Sequence, residues 1–331
     1  MGLLWYNYYG KGKAFPRYDL FDVLEDNISP APLKDSSEIK ILVPIANPNH
    51  EKDLLYLADN LGDNIVGLNV IKVPQQIGLA ETRYAFHENK IAVDAALREK
   101  FEDFPAILGH ERKYIIAFDH NVTNSIVEQA ELENVDFIIM GWHEVDRFRP
   151  SVRNITNQVL SSASKNLVVL NGHLPDKIKR IVVAYNGKDN SIYGLYLAKR
   201  LLKSTGAELH IIRVVDPECD DILYKSAQDD LTKAAEDKSV YTIASHLIRH
   251  LSVENAILNF LEKDDILVIG DSGRRFSFTL LGDLPYVLAK GHKGPVMIIK
   301  KHKPLSSGGF RYFSMKYMRK IKSYLVKTDK K

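Results

Sequence analysis

The stretch that decides the fold is Ile266–Lys300, ILVIGDSGRRFSFTLLGDLPYVLAKGHKGPVMIIK. Ile266–Ile269 is a continuous apolar run that ends in Gly270 and Gly273, the pattern of a parallel strand covered on both faces and closed by a turn. A helix is expected to begin near Gly282 and Asp283, to carry Leu284, Val287 and Leu288 on its inner face, and to stop at Gly291. Pro295 then leads into a second buried run, Val296–Ile299. The whole reads as a β-α-β unit with a right-handed crossover. Glycines at the carboxyl end of its first strand would let a ligand approach the backbone, and free N–H groups at the next helix start attract anions.

The same order of elements occurs earlier in the chain. Ile39–Ile45 opens a first copy as a buried strand, and Ile181–Tyr185 opens a second. Helices are expected over Asp53–Leu61 and Ala85–Phe101, and strands over Ile65–Val73 and Tyr114–Phe118. In the second copy a helix over Tyr193–Leu202 and a strand over Leu209–Val215 precede a long helix, Leu223–Thr242, and a strand near Ala244–Ile248. The segment NSIVEQAELENVDFIIMG, Asn124–Gly141, parallels NAILNFLEKDDILVIG, Asn255–Gly270. Equivalent elements lie roughly 130 to 140 residues apart, so the chain is a tandem duplication. Strands alternating with helices in each copy give an α/β class with two doubly wound parallel sheets.

These residues resemble the universal stress protein family, a Rossmann-type fold. That family has two glycines separated by two residues, about nine residues, then glycine with a serine or threonine, a helix and a Pro-Val strand. Gly270 and Gly273 match the first pair, Gly282 arrives one position early, and Asp283 stands where the family has a hydroxyl. Asp283 suits a helix cap but repels a phosphate, and Arg274 and Arg275 lie near enough in sequence to offset its charge. Family members that bind ATP or AMP also place an aspartate after the first strand; here Ala46 and Asn47 follow in the first copy, and Asn186 and Gly187 in the second. The resemblance implies a nucleotide site for ATP, ADP or AMP in the second copy, formed by Tyr185, Asn186, Val215, Gly270, Ser272, Gly273, Arg274 and Gly282. In the first copy Trp142, His143 and Glu144 follow Gly141 and no glycine recurs before the next helix, so its site is degenerate.

The chain divides into residues 1–37, a first domain at 38–174, a second at 175–303 and a tail at 304–331. Near the start, Leu3, Leu4, Trp5, Tyr6, Tyr8 and Tyr9 precede Lys11, Lys13 and Arg17, the layout of an aromatic belt at the cytoplasmic end of a transmembrane helix. It resembles the exit of the last such helix in transporters of the amino acid permease superfamily or cation-chloride cotransporter type that carry fused stress-protein domains. The alternative is an ordinary docked terminus. Pro304–Gly309 reads as a hinge, and beyond it Phe310, Phe313, Tyr317, Ile321 and Tyr324 recur at helical spacing among Arg311, Lys316, Arg319, Lys320 and Lys322. Such a basic amphipathic tail suits an anionic membrane surface, an acidic groove or the protein's own body.

With 331 residues and a formal charge of +3, composition gives no case for nucleic acid as a partner. The single cysteine, Cys219, excludes an internal disulfide and a Cys-rich metal site, and its acidic neighbours disfavour a thiolate. The string GDSG at Gly270–Gly273 also occurs around the nucleophile of serine proteases with β-barrel folds, but here it ends a parallel strand. His87, His110, His120, His143, His246 and His250 read as scattered surface or capping residues, and Asp229 with Asp230 as a solvated helix face. The expectation is a non-catalytic regulatory domain on the cytoplasmic face of the membrane, acting with its own transmembrane domain. The final strands, Leu167–Leu170 and Val296–Ile299, are the candidates for pairing, either between the copies or in a homodimer. The rival reading is a free-standing tandem universal stress protein that binds ATP or AMP in the cytosol, and a third is a nucleotide hydrolase using the same turn.

Overall fold

The computed structural model describes residues 38–45, 51–79, 98, 99, 101, 111–142, 155–236, 241, 243–271 and 283–302. All lie in one compact unit, Glu38–Lys331; a separate unit, Met1–Ser37, falls outside the described residues, as does the tail. The first half runs β1 (Lys40–Ile45), α1 (Glu51–Leu61), β2 (Asn64–Lys72), β3 (Glu111–Asp119), α2 (Val122–Leu132), β4 (Phe137–Gly141), α3 (Ile155–Ser162) and β5 (Asn166–Asn171). The second repeats it as β6 (Arg180–Ala184), α4 (Asp189–Thr205), β7 (Glu208–Val215), α5 (Asp221–Ala235), β8 (Ile243–Arg249), α6 (Val253–Phe260), β9 (Ile266–Gly270), α7 (Asp283–Gly291) and β10 (Val296–Lys300).

The ten strands form one sheet in the order β3-β2-β1-β4-β5-β10-β9-β6-β7-β8. Every pairing is parallel except that between β5 and β10, so the two candidate strands meet each other within the chain. Val296 pairs with Asn171, Ile298 with Val169 and Lys300 with Leu167. Val169 and Ile298 are equivalent positions of the two copies and form the middle pair of the ladder. A local two-fold axis therefore passes through that pair, and the contact is isologous.

Four strands near this axis, β4, β5, β9 and β10, each carry four consecutive buried residues, as the apolar runs in the sequence require. Helices α1, α4 and α5 cover one face and α2, α3, α6 and α7 the other, and each core is continuous across both halves. Polar ties reinforce the joint. Arg200 on α4 donates from Nε to the Leu61 carbonyl at 2.7 Å and from Nη2 to Asp63 at 3.1 Å, reaching from the second half into the first. Asn166 joins β5 to the far side, its Nδ2 donating to the Tyr193 hydroxyl at 3.4 Å and its Oδ1 accepting the His302 N–H at 2.9 Å. Burial pushes the Tyr193 phenol far above its ordinary value.

Local chemistry sets the helix ends. Asn121, Asp220 and Ser252 cap α2, α5 and α6 with side-chain oxygens that accept first-turn N–H groups. Two expectations change. The helix foreseen over Leu223–Thr242 ends at Ala235, and Val287 on α7 is exposed whereas Leu288 beside it is fully buried. The helix foreseen at Ala85–Phe101 lies almost wholly outside the described residues. No helix among the described residues is long and apolar enough to cross a membrane.

Candidate functional site

A doubly wound sheet opens a crevice where neighbouring strands send their crossovers in opposite directions, outside their carboxyl ends. The strand order places one such switch point between β1 and β4 and another between β6 and β9. The second is the one that the sequence singled out.

At its near wall β6 hands over to Tyr185, Asn186 and Gly187. Tyr185 continues the ladder by donating its N–H to the Ile212 carbonyl at 2.8 Å. Its half-buried ring packs on the core, and burial, followed by the Asp230 carboxylate, pushes the phenol up while Arg213 opposes the shift. Asn186 is exposed, yet its oxygen is engaged: Oδ1 accepts the Lys188 N–H at 3.0 Å and lies 2.8 Å from the Ser191 hydroxyl. That hydroxyl also stands 2.9 Å from the Lys188 carbonyl and shares its one proton between the two acceptors. The side chain expected to meet a nucleoside therefore spends its acceptor on the start of α4, and only its amide nitrogen is without a partner among the described residues. Gly187 has φ of 75°, and no described heavy atom lies within 4 Å of where a Cβ would stand, so the turn beside α4 is open.

Gly270 plays a different part from the one foreseen. A Cβ on it would come 2.8 Å from Asn190 Cβ and 2.9 Å from the Ser191 backbone nitrogen, so the missing side chain is taken up by the first turn of α4 and not left for a ligand. Asn190 fixes that contact, donating from Nδ2 to the Asp271 carbonyl at 2.7 Å and accepting the Lys301 N–H at 2.8 Å. It ties the ends of β9 and β10 to the start of α4. Val215 ends β7 at the same edge, and its carbonyl accepts the His250 N–H at 3.0 Å. Ser272, Gly273, Arg274 and Gly282 lie outside the described residues; α7 begins at Asp283, where the sequence places it.

The equivalent place in the first half is built otherwise. The Trp142 N–H donates to the Leu170 carbonyl at 2.7 Å, matching the bond from Asp271 N–H to Ile299 at the same length. The Trp142 ring packs on Tyr286 of α7, with centroids 5.9 Å apart at 45°. An indole from the first strand end is thus held by the last helix of the second half.

Three further features escaped the sequence. His210 and His246 stack with centroids 5.3 Å apart and a contact of 3.1 Å from Nδ1 to Nε2, against Phe260, which Arg180 covers at 5.1 Å. His246 is therefore not a scattered surface residue; burial, then His210 and Arg180, hold it below its ordinary value. Asp229 and Asp230 lie on a solvated helix face as expected, and Asp230, its side chain 44% exposed, also pairs with Arg213 at 2.9 Å. The Asn190 clamp was visible only as two polar residues, Asn190 and Ser191, at the head of an apolar helix. Among the described residues no group of three or more His, Cys, Asp or Glu could hold a metal ion.

A model of the universal stress protein family matches residues 39–171 and 177–300. A universal stress protein from Archaeoglobus fulgidus DSM 4304 is similar at 21% identity and a TM-score of 0.58, over 80% of this chain and 97% of that one. The cytoplasmic domain of a prokaryotic cation chloride cotransporter is similar at 13% identity and a TM-score of 0.55, over 80% and 96%. A functionally unknown protein from Pseudomonas aeruginosa PAO1 is similar at 15% identity and 0.53, over 80% and 94%. A comparison with curated proteins gave no match.

Proposed function

Since the chain belongs to the universal stress protein family, we propose that it is a non-catalytic regulatory module whose second switch point takes an adenine nucleotide and whose output acts on a membrane transporter. The observation that carries this reading is the inequality of the two switch points. After β4 the first carries Trp142 packed on Tyr286, where the equivalent residue after β9 is Asp271, and the second has an open turn at Gly187 beside the start of α4, whose first-half counterpart lies outside the described residues. A helix of 17 residues that begins at a switch point directs N–H groups toward an anion.

The transporter part rests on the aromatic and basic residues before Arg17 and on the fold shared with a cotransporter's cytoplasmic domain. The ligand would act by preferring one state of the module, and Tyr286, on the helix after the glycine turn, offers a route to the first half through Trp142. The pairing edges are consumed within the chain, so two chains need not meet through β5 and β10. A free-standing tandem universal stress protein that binds ATP or AMP is the second reading, and the Archaeoglobus fulgidus universal stress protein shares this fold over 80% of the chain.

Calorimetry of the full chain with ATP, ADP and AMP tests the nucleotide part. Asn186→Asp keeps the acceptor for the Lys188 N–H and the Ser191 hydroxyl and adds a charge-assisted bond, so affinity should rise about tenfold. Silence at millimolar nucleotide in both proteins would refute it. The reading frame upstream of Met1 separates the two settings: apolar spans continuous with Leu3 and Leu4 support the transporter.

A further inference from the structure

The corner of the sheet where β8 ends carries exposed apolar side chains that the fold does not use. Ile222 is 81% exposed and Leu251 82%, with Leu223 and Val253 beside them in sequence and also exposed. The start of α5 and the end of β8 meet here. Arg249 stacks over Tyr224 at 4.2 Å, and the His250 N–H reaches the Val215 carbonyl. Close to these residues in sequence are five exposed acids, Asp216, Glu218, Asp220, Asp221 and Glu254, against the exposed cations Lys225 and Arg249. An apolar, acidic corner calls for a ligand that is apolar and basic.

Such a ligand is present in the same chain. Phe310, Phe313, Tyr317, Ile321 and Tyr324 repeat at helical spacing, and residues 310–331 carry Arg311, Lys316, Arg319, Lys320, Lys322, Lys327, Lys330 and Lys331 against Asp329 alone. The connection is long enough. β10 runs parallel to β9, β6, β7 and β8, so its carboxyl end lies on the edge that holds the corner. Four strand spacings separate β10 from β8, about 19 Å. The residues from His302 to Phe310 span up to about 26 Å when extended.

We propose that residues 310–331 dock in cis on the corner formed by Ile222, Leu223, Leu251 and Val253, held by the acids around it. A short tether keeps the local concentration of the tail high, so modest contacts suffice. The corner adjoins the nucleotide crevice at Val215 but lies beyond the switch point between β6 and β9, and the proposal stands if that crevice binds nothing.

Zero-length carbodiimide cross-linking of the full chain, mixed from light and heavy isotope preparations, tests it. Lysines of the tail, chiefly Lys316, Lys320 and Lys322, should join acids of the corner within one isotopic species, and the links should vanish in about 0.5 M salt. Ile222→Arg and Leu251→Arg change exposed positions, leave the thermal unfolding of the chain unchanged, and should lower the cross-link yield at least about fivefold. Links between light and heavy chains would overturn the proposal in favour of a second copy. Tail lysines that join other surfaces, or yields unmoved by both variants, would overturn it outright. Tail lysines that stay uncross-linked in solution and become protected only on phosphatidylserine vesicles would assign the tail to a membrane instead.

Discussion

Replacing Gly270 by alanine tests the finding that this glycine serves packing. The new Cβ would stand 2.8 Å from Asn190 Cβ and 3.0 Å from the Asn190 carbonyl carbon, where ordinary contacts need about 3.5 to 4.0 Å. The obstacle is helix backbone, which cannot swing aside as a flexible side chain would, so the start of α4 must retreat by about 1 Å. That retreat stretches both bonds of Asn190, at 2.7 Å to the Asp271 carbonyl and 2.8 Å to the Lys301 N–H. Overpacking costs about 1 to 3 kcal/mol, and weakening two hydrogen bonds adds about 1 kcal/mol. Denaturant unfolding followed by circular dichroism should therefore show a loss of about 2 to 4 kcal/mol without nucleotide present. Asn190→Ala should cost about 1 to 2 kcal/mol alone and less than that on top of Gly270→Ala, because both changes act on one contact. A Gly270→Ala protein within about 0.5 kcal/mol of wild type that loses nucleotide affinity would refute the packing role and restore a ligand role.

His246 should make stability depend on pH. His246 is held below its ordinary 6.5 in the fold, so the unfolded chain binds that proton more readily and stability should fall as pH drops below about 6.5, flattening once the folded value is passed. His246→Asn should reduce the slope, measured by unfolding across that range; an unchanged slope would assign it to other groups. At the joint between the halves, Trp142→Ala should cost about 1 to 3 kcal/mol and Trp142→Phe less than about 1, since a phenyl ring preserves much of the contact with Tyr286. Equal unfolding midpoints for all three proteins would show that the ring contact contributes nothing.

The parts of the fold legible in the sequence are those written in apolar runs. Ile266–Ile269 and Val296–Ile299 are covered on both faces, as four consecutive buried residues in a central strand require, with β10 parallel to β9 on one side and antiparallel to β5 on the other. The repetition of those runs made the duplication visible, and the final strands that were candidates for pairing do pair. The apolar pattern marks only Tyr114–Phe118 of β3, because Glu111, Arg112 and Lys113 interrupt it. Its ladder nevertheless starts at Glu111, with Arg112 paired at 3.0 Å to a fully buried Asp59 that is distant in sequence. The candidate site was legible only in position. Which strand ends flank the crevice follows from element order, but that Asn186 would turn its oxygen toward Lys188 and Ser191, or that Gly270 would receive a helix, depends on how α4 lies over β9. The stacking of His210 on His246 likewise needed the register of β7 with β8, which places Ile212 and not His210 opposite His246.

The claim that the second half alone keeps a nucleotide crevice meets its most direct test in photolabelling of the full chain with an azido derivative of ATP, followed by peptide mapping. The account predicts label that unmodified ATP competes away, on peptides holding Tyr185–Lys188 or residues 271–282. Label on residues 46–50 or 142–150, or in equal yield on both halves, would contradict it.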